Sequence, residues 1–111
     1  MSHISTHILD TAEGRPAVGV LIRLEQLCDS GWITLSEIRT NADGRVPSLS
    51  PTPLPAARYR LTAEIGVWFA AQQRQTIYPQ AQIDVAIPRA GEHFHLPFLI
   101  TPWSWSTYRG S

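Results

Sequence analysis

The sequence predicts an all-β sandwich of about seven to eight short strands with one short helix. Three observations point there. Apolar and polar residues alternate with period two in several separate stretches. Clusters of Gly, Asn, Asp, Ser and Pro divide those stretches. One stretch alone departs from the rhythm.

The elements follow in order. STHILD near the N-terminus reads as a strand, with His7 inside it. In VGVLIRLEQL (18–27), Val18, Val20, Ile22 and Leu24 share one side. Gly31 opens WITLSEIRT, and Asn41-Ala42-Asp43-Gly44 is a turn, because Asn, Asp and Gly tolerate positive φ. Arg45 flanks that turn. Residues 48–57 are rich in Ser and Pro and read as a surface loop. RYRLTAEI (58–65) points Tyr59, Leu61, Ala63 and Ile65 inward and Arg58, Arg60, Thr62 and Glu64 outward. GVWFAAQQ (66–73) breaks the alternation and suits a helix of about two turns, a length that persists only with tertiary packing. QAQIDVAIP follows Pro79, with Ala81, Ile83, Val85 and Ile87 on one face. HFHLPFLITP follows a turn at Ala90-Gly91 and reads as one strand. The tail STYRGS would ordinarily be frayed. Trp103, Trp105 and Tyr108 are large groups that gain from burial, so a last packed strand is expected instead. No repeat, low-complexity tract or linker divides the chain, and one domain over residues 1–111 is expected.

Composition narrows the function classes. Hydrophobic residues are 43% and charged residues 16%, which is the balance of a globular chain. Nine basic residues, all Arg, cancel nine acidic ones without a basic block, so neither nucleic acid nor an anionic membrane is an expected partner. The single Cys28 cannot form an internal disulfide and fits a reducing compartment. MSHISTHILD lacks the pattern of a signal peptide, and no apolar run is long enough to span a bilayer. A cytoplasmic location is the expectation.

Residues 93–100 have two unlike faces. Phe94, Leu96, Phe98 and Ile100 form an apolar face for the core, and His93, His95, Pro97 and Leu99 point the other way. Three readings of H-x-H stay open at this level. The histidines are solvent-facing, or share a zinc, or act as acid and base, since an imidazole titrates near pH 6.5. A zinc site would need a third and fourth ligand that no motif supplies.

Several segments together resemble the 5-hydroxyisourate hydrolases of the transthyretin-like protein family. They are STHILDTAEGRPA (5–17), TNADGR (40–45), GVWFAAQ (66–72) and HFHLPFLITPWSWSTYRGS (93–111), so the likeness covers nearly the whole chain. D-G-R and H-x-H are weak signals alone. S-T-H-x-L-D near the start with Y-R-G-S at the end is specific, and that terminal tetrapeptide separates the hydrolases from the hormone-carrying transthyretins. The resemblance implies a transthyretin-like (prealbumin-like) sandwich and carries the family's functional positions onto His7, Arg45, His95, Tyr108 and Ser111. His93 ranks as a supporting neighbour. Ile77-Tyr78-Pro79, Thr101-Pro102 and Trp103-Ser104-Trp105 depart from the family's usual residues and bear on packing beside the site.

The implied reaction is hydrolytic ring opening of 5-hydroxyisourate to 2-oxo-4-hydroxy-4-carboxy-5-ureidoimidazoline, in urate degradation. It needs an activated water, a polarised carbonyl and a stabilised oxyanion. His7 or His95 can take the proton of water while the other orients it or protonates the leaving nitrogen. Arg45 offers a permanent charge and a fork of donors to substrate and oxyanion. Tyr108 can bond to or stack on the flat ring, and Ser111 can hold a histidine or a water. No G-x-S-x-G motif exists, so direct attack by water is favoured over an acyl-enzyme. No metal or organic cofactor is called for. The resemblance further implies a homotetramer, a dimer of dimers, with the site in the channel between subunits. The competing class is a non-enzymatic transthyretin-like carrier of small ligands, for which Y-R-G-S and His7 would have no use.

Overall fold

The computed structural model describes residues 3–110. Two sheets enclose one apolar layer. In the first, β1 (His3–Asp10) is the hub. Along one edge it pairs in parallel with β8 (His93–His95) and then β9 (Phe98–Ile100). Along the other it pairs antiparallel with β5 (Arg45–Val46) and β2 (Arg15–Pro16). β10 (Trp105–Thr107) continues this sheet beyond β9. The second sheet has the order β4-β3-β6-β7, from β4 (Gly31–Arg39), β3 (Leu21–Cys28), β6 (Ala57–Ala63) and β7 (Ala81–Ile87), all antiparallel. The helix α1 spans Ile65–Ala70.

Alternation sorts the faces as expected. Ile4, Ile8, Ile22, Leu24, Tyr59, Leu61, Ala63, Phe98 and Ile100 are fully buried between the sheets. Burying each large apolar side chain is worth roughly 1.5–3 kcal/mol, and such residues hold the layers together. Ten strands are described, more than the expected seven or eight. HFHLPFLITP is two strands, because Pro97 has no N–H for the ladder and ends β8 before β9 begins. β2 and β5 are two residues each and carry too little alternation to be read locally.

Four more expectations are corrected. Val18 lies in a turn before β3 and is half exposed, so only Val20, Ile22 and Leu24 hold the predicted side. Thr62, expected outward, is buried, because Gln82 on the neighbouring strand covers it and donates to its Oγ1 at 2.9 Å. The loop at 48–57 is not wholly superficial: Leu49 and Leu54 enter the core. α1 starts at Ile65 and ends at Ala70, shorter than the predicted segment, with Ile65 and Phe69 on its buried side. Gly66 permits this docking, since a Cβ there would lie 2.7 Å from the Pro79 carbonyl oxygen.

The segment that follows the helix is tied to the hub strand by charge. Arg74 donates to the buried Asp10 at 2.8 Å, and Asp10 Oδ1 also accepts from the backbone N–H of Ala12 and Glu13. In the tail, Trp105 packs on Phe98 with ring centroids 5.9 Å apart. Trp103 and Tyr108 are 60% and 57% exposed, so of the three aromatic anchors expected in the tail, Trp105 alone packs against this core.

Candidate active site

Three strands bring polar side chains to one outer face. On β1 the even positions Ile4, Thr6, Ile8 and Asp10 turn inward, so His3, Ser5, His7 and Leu9 turn outward. On β8, Phe94 is inward and His93 and His95 are outward. On β5, Val46 is inward and Arg45 outward. Register then sets neighbours: His7 lies opposite Arg45, and Ser5 opposite His95.

The turn before β5 is built to deliver Arg45 there. Asn41 Oδ1 accepts from the N–H of Asp43 at 2.9 Å and of Arg45 at 3.0 Å, closing the loop on its own backbone. Gly44 then passes close to β1, and its carbonyl accepts from the Ile8 N–H at 2.7 Å. It has φ +74, and a Cβ would meet the Ile8 carbonyl oxygen at 2.7 Å, so glycine is required on both counts. The chain thus leaves the second sheet at β4 and joins the first at β5.

His7 has a settled tautomer. Its Nε2 is 2.9 Å from the Asp43 carbonyl oxygen. A carbonyl can only accept, so Nε2 carries the hydrogen and the neutral ring keeps its lone pair on Nδ1. Burial, with Arg45 as a second cause, holds His7 below the ordinary imidazole value, outweighing the Asp43 contacts that act the other way.

His95 is placed by three contacts. Its Nδ1 is 2.8 Å from Ser5 Oγ, which leaves Nε2 for a water or a substrate. Its carbonyl accepts from the Gly110 N–H at 2.7 Å, which draws the C-terminal segment over the ring. Gly110 is close enough that a Cβ would lie 2.7 Å from His95 Cδ2. Burial first, then the charge of Arg45, then His7 and His93, lower its pKa. Both rings are therefore neutral near pH 7 and able to accept a proton.

Of the residues named from sequence, His7, Arg45 and His95 are brought together on this face. Tyr108 follows β10 and is exposed beside it. Ser111 lies outside the described residues. His93 is exposed, and its Nε2 is 2.9 Å from Ser5 Oγ. Ser5 is the site residue that sequence reasoning passed over, although the signal was present: it stands two residues before His7, on the same strand face. A cleft of about 490 Å³ lies elsewhere, between α1 and residues 73–79, and is lined by Arg74, Thr76, Ile77 and Tyr78 without a histidine or an acid. Titratable chemistry, rather than concavity, marks the site on the single chain.

Comparison with known proteins identifies the family. The model of the HIUase/Transthyretin family matches residues 4–110. A 5-hydroxyisourate hydrolase of Caulobacter vibrioides is 39% identical over the whole of both chains. The solved structure of Klebsiella pneumoniae 5-hydroxyisourate hydrolase is 52% identical and superposes over 100% of both chains with a TM-score of 0.91. The transthyretin of Sparus aurata shares the architecture at a TM-score of 0.89, covering 96% of this chain and 95% of its own, at 25% identity.

Proposed function

The chain belongs to the HIUase/Transthyretin family, and from that premise we propose that it is a 5-hydroxyisourate hydrolase of urate breakdown, acting through His7, Arg45 and His95. The observation that carries the assignment of the site is the pair of registers on β1. They set two neutral imidazoles and one permanent cation on the same face from segments far apart in sequence.

The proposed chemistry follows from the donors each group has. A water attacks the activated ring amide while His95 Nε2 or His7 Nδ1 accepts its proton. The other ring holds the water or gives a proton to the leaving nitrogen. Arg45 points a planar fork at the substrate carbonyls and stabilises the oxyanion, a type of interaction worth roughly 10²–10³-fold in rate. Tyr108 lies against the flat ring of the substrate, and Ser111, which the resemblance makes a further catalytic candidate, lies outside the described residues.

The chain is further proposed to act as one domain over residues 1–111 and as a homotetramer with the site in the channel between dimers. The wet face of β1, β5 and β8 and the exposed Trp103 and Tyr108 support that assembly. Among the described residues no helix is long and apolar enough to cross a membrane, and the proposed compartment is the cytoplasm.

The test is direct. 5-Hydroxyisourate is generated in situ from urate with a uricase, and its decay is followed optically with and without the protein. Acceleration is expected. Unchanged decay, with saturable binding of a flat aromatic ligand, would make the protein a carrier instead.

A further inference from the structure

We propose that Ser5 and His93 are positioning residues for His95, forming a two-proton relay that switches the tautomer of His95 during the reaction and moves its positive charge to the surface. The proposal rests on the hydrolase reading above and assigns the direction of proton flow within it.

The geometry is a chain of three groups. Ser5 Oγ lies 2.8 Å from His95 Nδ1 and 2.9 Å from His93 Nε2. The parallel register of β1 and β8 makes this unavoidable, since His3 pairs with His93 and Ser5 with His95, and all face outward. Ser5 is buried beneath the two rings, at 7% exposure. A hydroxyl has one hydrogen, so it can donate to one imidazole and must accept from the other. The two tautomers are therefore coupled. When His95 Nδ1–H donates to Ser5, Ser5 donates to His93 Nε2, and His95 Nε2 holds a lone pair as a base. In the reverse arrangement His95 Nε2 carries hydrogen and is an acid.

The protons balance through one cycle. His95 Nε2 takes a proton from the attacking water, and the hydroxide equivalent bonds to the substrate carbonyl carbon. The Nδ1 hydrogen passes to Ser5 Oγ, and the Ser5 hydrogen passes to His93 Nε2. His95 is then neutral with hydrogen on Nε2, and His93 is the imidazolium. As the ring C–N bond breaks, the Nε2 hydrogen goes to the leaving nitrogen, and the two relay protons return. No oxidant or further reactant is needed.

Electrostatics favours this direction. His95 is faced by Arg45 from β5, His7 from β1 and His93 on its own strand. Arg109 turns away onto Phe94, with its guanidinium carbon 4.2 Å from the ring centroid, and its nearest acid is Glu92 at 3.6 Å. A cation held on His95 beside Arg45 is disfavoured, whereas exposed His93 is solvated. His7 has no such relay, because a main-chain carbonyl holds its Nε2 hydrogen in place.

The experiment compares Ser5→Ala, Ser5→Thr, His93→Gln and the Ser5→Ala/His93→Gln double variant with the wild type on 5-hydroxyisourate. Ser5→Ala and His93→Gln are each expected to lower kcat about tenfold to a hundredfold, less than the roughly 10²–10⁴-fold of a direct acid–base group because they act through His95, while KM stays within about twofold. The double variant should be no worse than either single one, and Ser5→Thr should restore most of the rate. Rates in mixed light and heavy water should be curved against deuterium fraction for the wild type and linear for Ser5→Ala. Full kcat in Ser5→Ala, or losses that multiply in the double variant, would overturn the relay. Nitrogen NMR of the imidazoles separates this from the hydrolase reading, since it needs no substrate. Ser5→Ala should change the tautomer balance of His95, and unchanged ring shifts would refute the coupling even if the wild type proved inactive.

Discussion

In the four-stranded sheet, β3 pairs with β4 along its whole length, with one irregularity at Leu24-Glu25, and β6 pairs with β7 from end to end. In the other sheet, no partner of β1 runs beyond three residues. The outer faces differ as well. On the four-stranded sheet most charges of the ladder have an opposite partner, Arg23 with Glu37 and Glu64, Arg60 with Glu25 and Arg58 with Asp84, while Arg39 donates to the Gly19 carbonyl. Arg60 also lies over Trp32, 4.2 Å from the ring centroid. On the face of β1, β5 and β8, four histidines (His3, His7, His93 and His95) and Arg45 gather without a carboxylate among the outward-facing described residues of those strands. Long regular pairing yields a satisfied surface. Short strands from separate segments let one hub collect imidazoles that burial first, and the charge of Arg45 second, keep neutral and reactive.

The largest expected break of that contrast is on the histidine face. His95→Ala, Arg45→Ala and His7→Ala should each lose two orders of magnitude or more in kcat/KM, with the melting curve nearly unmoved, because all three side chains lie off the core. Steady-state kinetics and circular dichroism check this together. A matching cut in the other sheet should do the converse. Leu61→Ala at the centre of β6 should cost about 2–5 kcal/mol in urea unfolding while activity per folded molecule holds.

Gly110→Ala sharpens the comparison by touching neither sheet's core. The added methyl must displace the His95 ring, so kcat should fall about tenfold or more, with little change in unfolding midpoint. A wild-type rate would mean that the ring yields freely.

The pH response is a milder probe. His7 and His95 titrate below the ordinary imidazole value in the folded chain, so the unfolded chain binds protons first as pH falls. Stability from this source is constant above about pH 7 and declines as pH drops below about 6.5 toward the folded-state values. Activity, which needs neutral rings, should persist somewhat below that point before falling. A kcat/KM profile whose acid limb lay above pH 7 would contradict the arrangement. The smallest effect belongs to Asp84→Asn. It removes an exposed partner of Arg58, held at 2.8 Å, and should leave activity unchanged and abolish only a minor salt dependence of melting.

Much of this was legible locally. Alternation at Tyr59, Leu61 and Ala63, and at Phe94, Leu96, Phe98 and Ile100, named the core because side chains in a strand alternate whatever the strand pairs with. The same rule put His93 and His95 on the wet side and, applied to β1, groups Ser5 with His7. The resemblance of four segments to a family supplied Arg45 and the importance of the tail. Exposure of Val18, burial of Thr62, and the break at Pro97 escaped because each depends on what lies alongside. So did the contact of Ser5 with His95, ninety residues away.

The sequence by itself determined which face of the longer alternating strands is mainly apolar, where the turns fall, and that the polar residues of interest lie off the core. Those properties follow from backbone periodicity and turn chemistry, which act over a few residues. The tertiary structure alone decided that Arg45 stands against His7, that the Asp43 carbonyl sets one imidazole's hydrogen, and that one serine hydroxyl joins two others. These depend on the register between segments far apart in the chain, which packing of the whole core selects and no local pattern encodes.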